Sequence, residues 1–278
     1  TEANYERVEW VSAECLPIFE TPSITSEIPL GEKSLLEVPM APLAGLVAGN
    51  DGFAGLQQVV DLYSQWVSEK HAEAELLEPN YRQAAMAHIN ECARCIERMR
   101  EGLNYLQNNP VALKAFQLAN HAILLQQIRT RLDLRLVSYD DKKKRFNFTS
   151  DYPQIDLLAP MAGRGKWRAF QIAFLLMSIK SSVEGYVPDR KTVELIWFPT
   201  GGGKTEAYLG LAAFALFMRR LQNPEDSGVH VLMRYTLRLL TAQQFQRASG
   251  LVCAMEYLRR KIPAELGTTP FSIGIWVG

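Results

Sequence analysis

Several common signatures are missing from this sequence, and each absence removes a class of protein. Neither sign of charge dominates: 30 Lys and Arg are matched by 30 Asp and Glu. Global charge therefore argues neither for nor against a nucleic-acid partner, and only local clusters can. Long apolar runs are absent. The longest, Leu209–Met218, falls far short of the roughly 20 residues that a membrane helix needs. Cysteine is scarce, with four residues, of which only Cys92 and Cys95 are close together. A lone C-x-x-C lacks the second ligand pair of a structural zinc site. His88 could share a helix face with these two thiols. Tyr81, Ala85, Ile96, Met99, Leu103 and Leu106 lie on or beside the same stripe, however, which reads as two thiols in a helix–helix seam. No Asn-Lys pair occurs, so the guanine-reading N-K-x-D of GTPases is absent. No signal peptide opens the chain, which starts at Thr1. The expectation is a processed, tagged or truncated cytoplasmic protein with no membrane association.

What is present points to a globular protein. Apolar residues make up 47% of the 278 positions and charged residues 22%, enough for a core and suggestive of about two domains. Residues 1–50 are irregular, punctuated by Pro17, Pro22, Pro29, Pro39 and Pro42, and Gly49-Asn50-Asp51-Gly52 is a turn signal. Three helical patterns follow. Phe53, Leu56, Val60, Tyr63 and Val67 mark the first, and the second runs from about Asn80 to Leu106. Asn109 and Pro110 look like the cap and first position of a third, which continues to about Arg131. Residues 51–155 thus read as an all-helical domain. Within it, Asp140-Asp141-Lys142-Lys143-Lys144-Arg145 is either a solvated loop or a contact to a phosphate backbone.

The pattern changes near 150–160. A helix is expected from about Trp167 to Val183, then an apolar strand at Val193–Phe198, a glycine loop, and a helix from Lys204 to about Leu221. Val229–Met233 reads as a second strand, 238–261 as a helix, and Phe271–Val277 as a third strand. Strand–helix–strand–helix–strand implies an α/β fold with a parallel sheet and right-handed crossovers over residues 156–278.

The strongest chemical signal is Pro199-Thr200-Gly201-Gly202-Gly203-Lys204-Thr205. A polyphosphate needs backbone N–H groups aimed at it, so side chains must be absent where the loop wraps. The loop opens a helix whose terminal amides and dipole favour anions. Lys204 would reach the β- and γ-phosphates of ATP, and the Thr205 hydroxyl would ligate Mg²⁺. Glu206 completes the candidate cofactor set. The glycine usually found six residues before the lysine is replaced by Phe198.

That variant resembles motif I of superfamily 2 helicases, whose first domain is a RecA-like fold. Arg168-Ala169-Phe170-Gln171 resembles the glutamine element that precedes motif I, in which Gln171 would read adenine; a surface glutamine on an amphipathic helix would look the same. Arg234–Gln244 resembles motif Ia, a turn that contacts the nucleic-acid backbone through Thr236, Arg238 and Gln243. Residues 234–261 hold six basic side chains against Glu256 alone, which fits a phosphate track, although Arg259, Arg260 and Lys261 read as solubilisers at a helix C-terminus.

Trp197–Gly210, Arg234–Gln244 and Ser272–Gly278, with Ala115–Asn120 and Gln126-Gln127, look like the helicase subunit of the DISARM anti-phage system. The resemblance covers roughly residues 50–278 and is strongest after 165. It implies a large DNA-dependent ATPase acting on single-stranded or overhanging DNA, a partner subunit, and a role against phage DNA. Motors of this kind also need an acidic motif II, and nothing after Lys204 matches it; Glu225-Asp226 is a poor candidate. The expectation is therefore an incomplete RecA-like domain that binds nucleotide without hydrolysing it efficiently alone. Two other readings stay open: a different P-loop enzyme, or a non-catalytic module in which the loop only organises structure.

Overall fold

The computed structural model describes residues 25, 27–31, 34–129, 136–149, 156–159, 163–197, 201–235 and 238–276. Helices dominate: α1 (Met40–Leu43), α2 (Phe53–Glu75), α3 (Pro79–Asn108), α4 (Pro110–Arg129), α5 (Ala169–Val183), α6 (Lys204–Gln222), α7 (Arg238–Lys261) and α8 (Pro263–Leu266). The caps explain where several begin. Asn50 Oδ1 accepts the Gly52 N–H at 2.9 Å and Asp51 Oδ1 accepts the Phe53 N–H at 3.0 Å, so the turn delivers the chain into α2. Asn109 Oδ1 accepts the N–H groups of Val111 and Ala112 at 3.1 and 3.0 Å, with Pro110 at the first position of α4.

The helices share one contiguous core that takes in both halves of the chain. α3 lies along α5, and α4 packs on both α6 and α7. Phe116, Ile123 and Leu124 of α4 are buried in the same cluster as Phe214 and Phe217 of α6 and Met255 of α7. One glycine sets an interhelical distance. A Cβ at Gly102 would lie 2.7 Å from the Leu176 carbonyl carbon, so α3 meets the backbone of α5 where no side chain fits. Two polar side chains in the core are partnered with each other. Trp167 Nε1 donates to Asn120 Oδ1 at 2.7 Å, and Asn120 Nδ2 donates to the Phe116 carbonyl at 2.8 Å. Gln127 Oε1 accepts the Gly165 N–H at 3.0 Å, tying α4 to the loop before α5. Cys92 packs against the core from the seam of α2 and α3.

The expected parallel sheet is not formed among the described residues. Val193–Trp197, Val229–Met233 and Phe271–Trp276 run without strand pairing, and Val193, Leu195, Trp197, Val229, Leu232 and Trp276 are exposed. Apolar runs of this length carry the composition of a buried strand, but a strand needs a partner for its backbone groups and cover for its faces. The pairs that do form are short and antiparallel. β1 (Val38–Pro39) joins β4 (Lys166–Trp167), and β2 (Val137–Asp140) joins β3 (Arg145–Phe148). The charged run at 140–145 is therefore the tip of a hairpin. The boundary expected near 150–160 falls largely outside the described residues, as do Phe198, Val277 and Cys15.

A second correction concerns Arg259, expected to be a solubiliser. It is 7% exposed, pairs with Glu256, and donates to the Gly267 carbonyl at 2.8 Å. Arg220, 4% exposed, donates to the Leu266 carbonyl at 3.1 Å and lies 4.7 Å from the centre of the Phe271 ring. These two guanidiniums pin the 266–271 segment onto α6 and α7. Among the described residues, no helix is long and apolar enough to cross a membrane.

Candidate nucleotide-binding loop

Three consecutive glycines have local consequences that the backbone displays. Gly201 and Gly203 take φ of +79° and +89°, a left-handed region that side chains disfavour. Among the described residues nothing lies within 4 Å of where a Gly201 Cβ would be, whereas a Cβ at Gly203 would meet Gln171 Nε2 at 2.8 Å. Gly203 caps α6 and, being glycine, brings no side chain of its own to the first amides of that helix. The loop thus delivers glycine backbone to a helix N-terminus, where the aligned peptide dipoles leave a positive end. Lys204, Thr205 and Glu206 follow in the first turn, each half-buried. Pro199 and Thr200 lie outside the described residues.

α5 holds this loop from the side. Arg168 Nη1 donates to the Gly202 carbonyl at 2.5 Å, and Gln171 Nε2 donates to the Gly203 carbonyl at 2.7 Å. Gln171 Oε1 accepts the Arg168 N–H at 2.8 Å, closing a capping arrangement at the start of α5. Both halves of the Gln171 amide are thus engaged, so reading adenine would require exchanging one of these bonds. Arg168 and Gln171, chosen from the sequence, are brought to the loop that the sequence chose independently.

α7 closes the other side. Arg247 pairs with Glu206 Oε1, while Glu206 Oε2 is buried without a hydrogen-bond partner among the described residues. In sequence, Arg247 was only one cation among six, and nothing local reveals that its partner sits 41 residues away. Burial pushes the Tyr235 phenol up, with Arg247 opposing. Of the expected backbone-contact set, Gln243 is exposed near the start of α7, Arg238 is its first residue, and Thr236 lies outside the described residues. Asp226, from the weak acidic pair, is held by Arg219, which lowers its pKa, and accepts the Gly228 N–H. No group of three or more His, Cys, Asp or Glu side chains that could hold a metal ion is found among the described residues.

The segment entering the loop is strapped to α3. The Arg98 guanidinium, 10% exposed, pairs with Glu194 and with Asp189 at 3.1 Å, and donates to the Met177 carbonyl at 3.1 Å. Tyr105 Oη donates to Glu184 at 2.7 Å, and this bond follows burial in raising the phenol's pKa. The chain between α5 and the glycine loop is therefore fixed by the amino-terminal helices, a dependence that the sequence did not reveal.

No family model matches the chain. It is 36% identical over 231 residues to DISARM protein DrmA of Bacillus paralicheniformis, a match covering 80% of this chain and 19% of that protein. The chain is similar to DrmA. Taken as one stretch, a match over four fifths of the chain includes the glycine loop wherever it begins. The chain spans about a fifth of the length of this curated DrmA. The resemblance to a DISARM subunit that the motifs carried is thus supported along most of the chain.

Proposed function

We propose that the chain is the nucleotide-binding region of an ATP-dependent DNA helicase or translocase of superfamily 2, working in anti-phage defence. The observation that carries this reading is the Gly201–Gly203 loop at the start of α6, with the Gly202 and Gly203 carbonyls held by Arg168 and Gln171. The residues fit ATP and Mg²⁺. Left-handed glycines bring no side chain to the loop, and a Cβ at Gly201 would meet nothing within 4 Å among the described residues. In this reading the loop and α6 amides bind the phosphates, Lys204 neutralises their charge, and the Thr205 hydroxyl ligates Mg²⁺. Bound ATP supplies the free energy of phosphoryl transfer to water. Glu206, held by Arg247, orients the first turn of α6 against α7, and the start of α7 with Gln243 faces the DNA backbone. The similarity to DrmA supports a defence role and a partner subunit.

The test is the ATPase rate of the full-length protein, with and without single-stranded and duplex DNA, beside Lys204→Ala. Strong DNA stimulation that the substitution abolishes is expected. A rate indifferent to DNA and to Lys204 would overturn the motor reading and favour a non-catalytic module.

A further inference from the structure

The hairpin formed by β2 and β3 is separate from the glycine loop, and its chemistry is unusual for a solvated turn. Its register pairs Val137 with Phe148, Ser138 with Asn147, Tyr139 with Phe146 and Asp140 with Arg145. Alternation then sorts the strands into two faces. Val137, Tyr139, Phe146 and Phe148 share one; Ser138, Asp140, Arg145 and Asn147 share the other. A two-stranded hairpin gains little stability alone, and an apolar face is normally what anchors it to a core. On that face Tyr139 is 52% exposed and Phe146 63% exposed, with ring centres 5.2 Å apart and planes inclined at 56°.

The tip adds charge. Asp140 Oδ1 accepts the N–H groups of Lys142 and Lys143, each at 3.1 Å, so this carboxylate shapes the turn. Asp141 pairs with Lys144 at 2.6 Å, and Lys144 takes φ of +49°. Both acids are thus committed within the turn. The charges of Lys142, Lys143 and Arg145 are left facing water on exposed side chains, with no ion pair among the described residues. Uncompensated cations at the tip and exposed rings behind it form one element of 12 residues.

We propose that this hairpin is a binding element for single-stranded nucleic acid, with Lys142, Lys143 and Arg145 on the phosphates and the Tyr139 and Phe146 rings stacking on unpaired bases. Charge complementarity selects the polyanion. Exposed rings select the unpaired strand, because bases in a duplex offer no free face to stack on. The proposal deepens the motor reading and rests on it for the presence of DNA.

The test uses the full-length protein, a labelled 20-nucleotide single strand and its blunt duplex, and fluorescence anisotropy at several salt concentrations. The variants are Lys142→Glu with Lys143→Glu, and Tyr139→Ser with Phe146→Ser. The charge variant changes only exposed tip residues, so it tests the proposal even if the ring variant folds poorly. It is expected to weaken single-strand binding at least about tenfold at low salt and to flatten the salt dependence by roughly the slope of two phosphate contacts. The ring variant is expected to weaken single-strand binding at least about fivefold while leaving duplex binding unchanged. Wild-type affinity in both variants, with DNA-stimulated ATPase intact, overturns the hairpin proposal and leaves the motor reading standing. Equal loss of single-strand and duplex binding in the ring variant also overturns it, because stacking on unpaired bases would spare the duplex. A wild-type protein that binds no single strand overturns both readings.

Discussion

Gly102→Ala sets two physical effects of opposite sign against each other. In a solvated helix the change stabilises by about 1 kcal/mol, because glycine has the larger conformational entropy to lose. At position 102 the new Cβ would lie 2.7 Å from the Leu176 carbonyl carbon and 3.2 Å from its Cα. Carbon atoms pack best about 3.5–4.0 Å apart. The obstructing atoms are backbone, so no rotamer change relieves the clash, and α3 and α5 must separate by roughly 1 Å. A gap of that size forfeits about a quarter to a half of each contact well along the seam. Met99, Leu103, Leu106, Ile172, Leu176 and Ile179 line it, all buried. Overpacking alone costs about 1–3 kcal/mol, and with the opened seam the net loss is expected at about 3 kcal/mol, after subtracting the propensity gain. Urea unfolding followed by circular dichroism reads this as a lower midpoint at unchanged slope. A midpoint equal to or above that of the wild type would refute the close-approach reasoning and leave helix propensity as the deciding effect.

Three further outcomes are expected. Gln171→Ala removes the one bond by which this side chain holds the Gly203 carbonyl to α5, together with the bond that caps α5 at the Arg168 N–H, and is expected to weaken nucleotide binding about fivefold, at about 1 kcal/mol for the loop bond; titration with a fluorescent ATP analogue checks it, and unchanged affinity counts against the pinning role. Arg98→Met leaves Asp189 and Glu194 without their buried cation and is expected to cost about 2 kcal/mol, less than a fully buried pair because both carboxylates are partly exposed; a double-mutant cycle with Glu194→Gln checks the coupling, and additivity would refute it. The third outcome concerns pH. The Arg259 guanidinium, followed by Arg260 and the Phe271 N–H, holds Glu256 down at about 2. A depressed folded-state value means the contribution is complete above the ordinary carboxylate value near 4.5 and is lost as pH falls through about 2. Thermal melts of the wild type are therefore expected to fall more steeply than those of Glu256→Gln across that window, and parallel curves would exclude the linkage.

Helix placement was legible because its signals are local. A period near 3.6, the Asn109-Pro110 cap and the glycines before Lys204 put α2, α4, α6 and α7 within a few residues of their observed bounds, apart from the longer tail of α2. The candidate loop was legible for the same reason, since three glycines ahead of Lys-Thr constrain the backbone whatever surrounds them. The partners of the loop were only half legible. Arg168 and Gln171 were found by motif, but the bonds they make, to the Gly202 and Gly203 carbonyls, carry no sequence signature.

The sequence by itself determined where the chain is helical, where its glycines force left-handed turns, and which glycine loop opens α6. Those properties are set within one or two turns of chain. Tertiary structure alone decided that Arg247 meets Glu206, that Arg98 straps the segment entering the loop, that Arg259 is buried, and that 140–145 closes a hairpin on which Tyr139 and Phe146 are exposed. It also decided that three apolar runs stay unpaired among the described residues. The physical reason is the same in each case. Pairing depends on what lies opposite in space, and neither periodicity nor composition specifies an opposite side.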